Sequence, residues 1–340
     1  MSLLTPRRAA IGVAVLALAA LPVWVGNPYY INVASQILLY AVLALALNVM
    51  VGYGGLVSLG HAGLFAMASY AGALVLQAGH GHLLADLAAV VVAVAAAAVF
   101  GLLSLRSTGI GFLMITLALG QIVWGIAYRW ADLTNGDNGV NVTTRPAPFG
   151  ISLAGADAFY WATLLVFLLA VVTMAVFVRS PFGASLRGTR DQARRMNALG
   201  YNVWLIRFLA IVFSGFWTGV AGLLFIYYNQ FISPQVSALT ASAEVLLMVI
   251  SGGTATLFGP VAGAAIVVIM KNVVSAYIER WNLVLGVIFV VIISFMPEGL
   301  VPGTVRLVRW GWRRLRSKPG AATARPSERS SERASEERVP

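Results

Sequence analysis

The chain has 340 residues, of which 59% are hydrophobic and only 10% charged, with a formal net charge of +11 and no cysteine. Soluble domains carry roughly 25% charged residues, and a soluble globule could not hide this much apolar surface, whose mean hydropathy is +0.85. A water-soluble enzyme, a nucleic-acid-binding protein and a disordered chain are therefore excluded, and the missing cysteines remove disulfides, thiolate chemistry and cysteine-based metal sites.

About 200 apolar residues divided into spans of about 20 give on the order of ten transmembrane helices. The apolar segments run 9–25, 31–51, 61–78, 84–105, 110–128, 159–178, 204–228, 238–251, 259–278 and 283–300. Runs such as LAAVVVAVAAAAVFGLL are continuous, whereas β-barrel strands would alternate. The expectation is an all-α membrane protein, a polytopic bundle of about ten helices with glycine-broken segments.

Residues 1–30 read as an N-terminal span and outer turn. Arg7 and Arg8 before an apolar run also match a signal peptide or a twin-arginine export signal. The spans that follow, and the lack of a small-residue cleavage site before Asn27, favour an uncleaved first span.

The next segments bring the first glycine cluster, Gly52-Tyr53-Gly54-Gly55-Leu56-Val57-Ser58-Leu59-Gly60-His61-Ala62-Gly63. A second cluster runs from Ser251, Gly252, Gly253 and Thr254 through Gly259 and Pro260 to Gly263. Each follows an apolar helix and opens a small-residue helix, a weak sign of an internal repeat. Irregular backbone at membrane depth needs protein or a water-filled cavity to satisfy its polar groups. Broken helices of this type line translocation paths, while small residues also serve close packing. Ser58, His61, Ser251 and Thr254 are the candidate path residues at the two breaks. His61 alone also fits a structural hydrogen bond, and Asn48, Thr116 and Gln121 read as interhelical hydrogen bonds.

Glu244 is the only acid well inside an apolar run and is a functional candidate by default, shaping the path. Lys271 is the only lysine within a span. The two lie about 8 Å apart along the membrane normal, so long side chains could join them. Otherwise Glu244 meets a helix end and Lys271 snorkels outward.

The inner loop 179–203 reads RSPFGASLRGTRDQARRMNALGYNV. Thr189 and Gln192 fit a capping box, Asp191 suits the first turn, and Gly200 suits a left-handed stop. The expected helix is Arg190–Leu199, with Ala193, Met196 and Leu199 on one face and Arg190, Arg194 and Arg195 on others. Such a helix suits a partner's groove; the alternative is a basic loop on anionic lipid.

Lysine and arginine are asymmetric between loops. Arg7, Arg8, Arg106, Arg179, Arg187, Arg190, Arg194, Arg195 and Arg207 share one side, and Arg129, Arg145 and Arg280 the other. Positive-inside bias then places both termini in the cytoplasm. Residues 304–340 are basic and then rich in Pro, Ser, Arg and Glu, which reads as a disordered cytoplasmic tail. Only Lys271 and Lys318 are lysines and neither follows glycine, so the chain has no Walker A loop. No catalytic motif and no cofactor site is expected in this chain, and any use of ATP falls to a partner.

Several segments in order resemble the permease subunits of bacterial high-affinity branched-chain amino acid ABC importers, of the LivM type. They are GYGGLVSLGHAGLFAMASY, the run from Arg106 to Ala118, LTNGDNGVN, SPFGASLRGTRDQARRMNALGYNV, GVAGLLFIYYNQFISP, EVLLMVISGGTATLFGPVAGA and MPEGLVPG. The resemblance covers about residues 30–303 and implies a permease domain over 31–303. It implies a second homologous permease, two cytoplasmic ATPases and a periplasmic substrate-binding protein, in the bacterial inner membrane. Gly188–Gly200 would then be the coupling helix, with Arg190, Asp191, Arg194, Met196, Leu199 and Gly200 facing the ATPase. LTNGDNGVN is compatible with binding-protein contact, or simply with a set of turns. Similar permeases carry leucine, isoleucine and valine, or else urea, short-chain amides or other small organic acids. An ion-coupled secondary transporter would share the span count but would have Glu244 as its one obvious acid.

Overall fold

The computed structural model describes residues 6–142, 145–146, 152–278, 280–296, 299–304 and 306. The expected tail beyond Arg306 lies outside the described residues.

Helix α1 (Pro6–Val25) leads into α2 (Pro28–Asn48), which passes into a π-helical turn at Val49–Tyr53. Then come α3 (His61–Gln77), α4 (His82–Ser104), α5 (Ile110–Arg129), the single turn α6 (Ala131–Thr134) and strand β1 (Val140–Asn141). Next are α7 (Ala156–Arg179), α8 (Pro181–Ala198), α9 (Val203–Asn229), β2 (Phe231–Ile232), α10 (Leu239–Gly252), α11 (Gly259–Asn272) and α12 (Trp281–Phe295). The molecule is an all-α, multi-pass membrane protein, its only described strands being the ribbon in which Val140 pairs with Ile232.

Local chemistry sets the helix starts. Asn27 Oδ1 accepts from Tyr29 N at 3.0 Å, with Pro28 preset for the first turn of α2. Asn202 does the same for α9, accepting from Leu205 N at 3.0 Å. Pro22 lies inside α1 and removes the N–H that would bond the Leu18 carbonyl. The Tyr160 hydroxyl of α7 donates to that carbonyl at 2.7 Å, so the gap in one helix becomes the anchor of another.

Helix α2 is the central post. Its apolar window is 78% buried, against 22% for α5. It packs on α7, α9, α10 and α11, while α5 presents Ile110, Met114, Ile122 and Ile126 outward, an apolar surface suited to lipid. Helix α4 meets α9 through an alanine stripe, Ala85, Ala89, Ala93 and Ala97, all completely buried. The opposing residues are Gly215 and Gly219, where an added Cβ would fall 2.1 Å from Ala97 Cβ and 2.5 Å from Ala93 Cβ. Van der Waals packing of small residues holds these helices where no hydrophobic drive acts between them.

Among the described residues, six helices are long and apolar enough to cross a membrane: α2 with its π turn, α4, α5, α7, α9 and α11 with the turn after it. The expected count of ten is not established. Helices form at the other four expected segments, α1 with 20 residues, α3 with 17, α10 with 14 and α12 with 15. The glycine breaks bound two of them: α3 starts directly after Gly60, and α10 ends at Gly252. At 1.5 Å per residue α10 is about 21 Å long, short of the roughly 30 Å hydrocarbon core.

Candidate functional site

The chain alternates direction, so the two glycine breaks and α8 gather at one end and the β1–β2 ribbon lies at the other. At the first end the breaks are stitched together by Asn48. Its Nδ2 donates to Thr256 O at 2.8 Å, and its Oδ1 accepts from Ala255 N at 3.1 Å. The backbones touch here, since a Cβ on Gly52 would lie 2.3 Å from Ala255 N. The second break also closes on itself: Thr256 Oγ1 donates to Gly253 O at 2.8 Å and accepts from Gly259 N at 3.0 Å. An added Cβ on Gly263 would lie 1.8 Å from Met248 O, which leaves α10 and α11 in backbone contact.

His61 is 2% exposed and sits in a closed chain of bonds. Ser214 Oγ donates to Ala46 O at 2.6 Å, so it accepts from His61 Nε2 at 2.8 Å. The proton assigned to Nε2 leaves Nδ1 as acceptor for the Ser58 hydroxyl at 3.2 Å, and Ser58 Oγ accepts from Gly60 N at 3.2 Å. Ser251 is equally buried and donates to Leu247 O at 2.6 Å within its own helix. Thr254 is exposed at the break.

A cavity of about 350 Å³ opens among α2, α3, α9, α10 and α11, towards the ribbon end. Ser58, His61, Ser251 and Thr254 do not line it; Glu244 does, with Lys271, whose Nζ lies 3.5 Å from Glu244 Oε2. The two long side chains meet, and the snorkelling alternative for Lys271 is set aside. Tyr40 stacks on Phe65 at 6.4 Å, and Phe65 meets Phe225 edge-on at 5.1 Å, which gives the cavity an aromatic wall. Gln36, Asn229, Gln235 and Thr240 add polar groups that sequence reasoning had not singled out. Gln36 and Asn229 were visible as lone amides at the edges of apolar runs. Asn272 Nδ2, next to Lys271, donates to Gln36 Oε1 at 2.7 Å, fixing the end of α11 against α2.

Helix α8 corrects the expected Arg190–Leu199 helix. It begins at Pro181, where Ser180 Oγ accepts from Gly183 N at 3.2 Å. Thr189 is no cap: it is buried and its hydroxyl donates to Leu186 O at 2.8 Å. Gln192 reaches back to nothing of that kind, because it is the kink itself, at φ −151° and ψ 84°. The earlier Ser-Pro start outcompetes the later Thr-x-x-Gln one, since proline presets the first turn. The stop is as expected. Gly200 has φ +84°, Gly200 N donates to Asn197 O at 3.0 Å and Tyr201 N to Met196 O at 3.1 Å, a Schellman closure.

Arg190 turns inward. Its Nη1 donates to Gly52 O at 2.5 Å, and its stem covers Gly55, while its Nε stays 3.6 Å from Asp191 Oδ1. Arg207 Nη2 donates to Thr189 O at 3.0 Å. Met196 is half-buried against Gly188, folding the two halves of α8 together. Arg194, Leu199 and Gly200 remain exposed, Leu199 at 66%.

At the ribbon end LTNGDNGVN forms turns. Asn135 is left-handed at φ 58°, and Thr134 Oγ1 donates to Ala127 O at 2.7 Å. Arg145 reaches from this loop to Tyr227 O at 3.0 Å and Tyr228 O at 3.2 Å and lies 5.1 Å over Phe159. Partial burial lowers its pKa from the ordinary arginine value.

Residues 29–293 match the family model described as branched-chain amino acid transport system / permease component. The chain is 28% identical over 298 residues to the high-affinity branched-chain amino acid transport system permease protein LivM of Salmonella typhimurium, covering 81% of this chain and 70% of that protein. It is 23% identical over 301 residues to the permease protein LivH of Escherichia coli, covering 77% and 91%. A probable LivM of Methanocaldococcus jannaschii is 23% identical over 161 residues, 42% of this chain and 46% of that protein. No solved structure matches.

Proposed function

The chain belongs to the family of branched-chain amino acid transport system permease components, and from that premise we propose that it is the permease subunit of a bacterial ABC importer for branched-chain amino acids or related small polar solutes. It lies in the inner membrane with both termini and α8 on the cytoplasmic side, as the arginine asymmetry requires. A second, homologous permease completes the path, two ATPases consume the ATP, and a periplasmic binding protein delivers solute at the ribbon end. This chain binds no nucleotide.

The observation that carries the reading is the Arg190–Gly52 bond. It ties a cytoplasmic helix with an exposed, sharply capped tip to the broken helix that Asn48 joins to α10 and α11. Movement of α8 is thereby passed to the walls of the Glu244 cavity. In this reading Glu244 borders the route, Thr254 is met at its cytoplasmic mouth, and Ser58, His61 and Ser251 hold the break in shape.

The test is copurification of the ATPases with the permease, alongside uptake. Leu199→Asp puts a charge on the exposed tip, whose burial in an ATPase groove would lower docking affinity on the order of a hundredfold. Loss of copurification and uptake at normal permease abundance is the expected result. Unchanged copurification and uptake would mean that α8 is a lipid-facing connector.

A further inference from the structure

We propose that Glu244 and Lys271 form the head-group site for a zwitterionic amino acid inside this permease, with the ligand's ammonium on Glu244, its carboxylate on Lys271 and its side chain against the Tyr40–Phe65–Phe225 wall. The proposal rests on the reading of the chain as a solute permease and names what the cavity recognises.

Three observations carry it. The two charged groups line one cavity from opposite arms of the α10–α11 hairpin, with side chains 23% and 42% exposed. Their 3.5 Å separation is a contact between charges, wider than the roughly 2.7–2.9 Å of a tight charge-assisted hydrogen bond. The pair is therefore open to exchange. The third is charge balance: a zwitterion inserted between the two leaves each charge with a partner, whereas a lone cation or anion strands one of them at membrane depth. A neutral amide or urea offers no charge to separate the pair. The cavity's roughly 350 Å³ suits a small ligand, and its wall of Leu43, Phe65, Phe225 and Val245 suits an apolar side chain.

The experiment uses the full-length permease with its partner permease in lipid nanodiscs and measures equilibrium binding of tritiated leucine. Leucinamide, which lacks the carboxylate charge, and 4-methylpentanoate, which lacks the ammonium, are competitors. Both are expected to compete at least about tenfold more weakly than leucine, because each leaves one site charge unpaired. Glu244→Gln and Lys271→Gln are each expected to weaken leucine binding at least about tenfold. Either single variant leaves a charge without its partner and could unfold, so the double Gln/Gln variant is included, in which no charge remains. It should assemble normally, shown by its elution and melting profile, and lose leucine binding.

Wild-type leucine affinity in the assembled double variant overturns the proposal, as does the absence of saturable leucine binding to the wild-type complex. Uptake by the complete system separates the two levels. If wild-type cells import leucine and the Gln/Gln variant does so with unchanged KM, the site is wrong and the permease reading stands. If wild-type cells import a short amide and no amino acid, the amino acid reading itself falls, and the site with it.

Discussion

Asn48 shows how much of this molecule rests on single polar residues. It is 1% exposed and satisfies a backbone N–H and a carbonyl of the second break at once. Asn48→Leu keeps the volume and orphans both groups, so stability is expected to fall by about 1–3 kcal/mol per group left unpaired. Thermal melting of the purified permease would read it; an unchanged midpoint would mean that the breaks are held by packing alone. The Tyr160–Leu18 bond gives a cleaner case. Tyr160→Phe leaves the Leu18 carbonyl bare and is expected to cost about 1–3 kcal/mol. In a Pro22→Ala background the helix supplies its own N–H, and the same substitution should be nearly neutral. A double-mutant cycle with no coupling would refute this account.

Among the elements, α8 and the first glycine break are joined by the Arg190–Gly52 hydrogen bond. Arg190→Lys keeps the charge but loses the planar fork that reaches Gly52 O beside Asp191. If, as proposed, docking lies at the exposed tip and transmission at Arg190, uptake is expected to drop severalfold with ATPase copurification retained. Loss of copurification with uptake in proportion would place Arg190 at the docking surface instead. Met196 is a poor probe of docking, since it is folded against Gly188 within α8; Met196→Asp would disturb α8 itself. The sequence places a helix within 179–203 and the structure has α8 there, but starting at Pro181 rather than at Arg190. A capping box at Thr189 is visible in the letters, and so is Ser180-Pro181. Only the burial of Thr189 decides between them.

For the whole molecule, the β1–β2 ribbon and α8 lie at opposite ends, and a topology experiment tests the proposed orientation. Reporter fusions at Asp137 and Asn197 are expected to lie on opposite sides, periplasmic and cytoplasmic respectively, because the ribbon and α8 cap opposite ends of the same helices. Both reporters on one side would overturn the assignment of α7 as a span. The α4–α9 contact gives a second expectation at this scale. Gly219→Leu meets Ala93 Cβ and neighbouring α4 backbone, so the permease should accumulate poorly and melt early. Normal abundance would show that α4 is free to move outward into lipid.

The amino-acid sequence by itself determined the class: apolar runs too long and too many for water leave a helical membrane protein, because every backbone group must be satisfied inside lipid. It also located the breaks, since glycine runs are explicit, and the exposed stop at Gly200, since a left-handed residue after a helix is a local matter. The partners across space were decided by the tertiary structure. Nothing local couples Asn48 to Thr256, Arg190 to Gly52 or Tyr160 to Leu18, each pair being more than a hundred residues apart. Glu244 and Lys271 were visible as two charges in apolar runs, but facing one cavity is a property of the α10–α11 hairpin. Ser58 and His61 were visible as polar residues at a break, and only the approach of Ser214 and Ala46 turned them inward. Helix length was likewise settled by packing: where Gly252, Gly259 and Gly263 let backbones touch, turning back early gains more contact than continuing across.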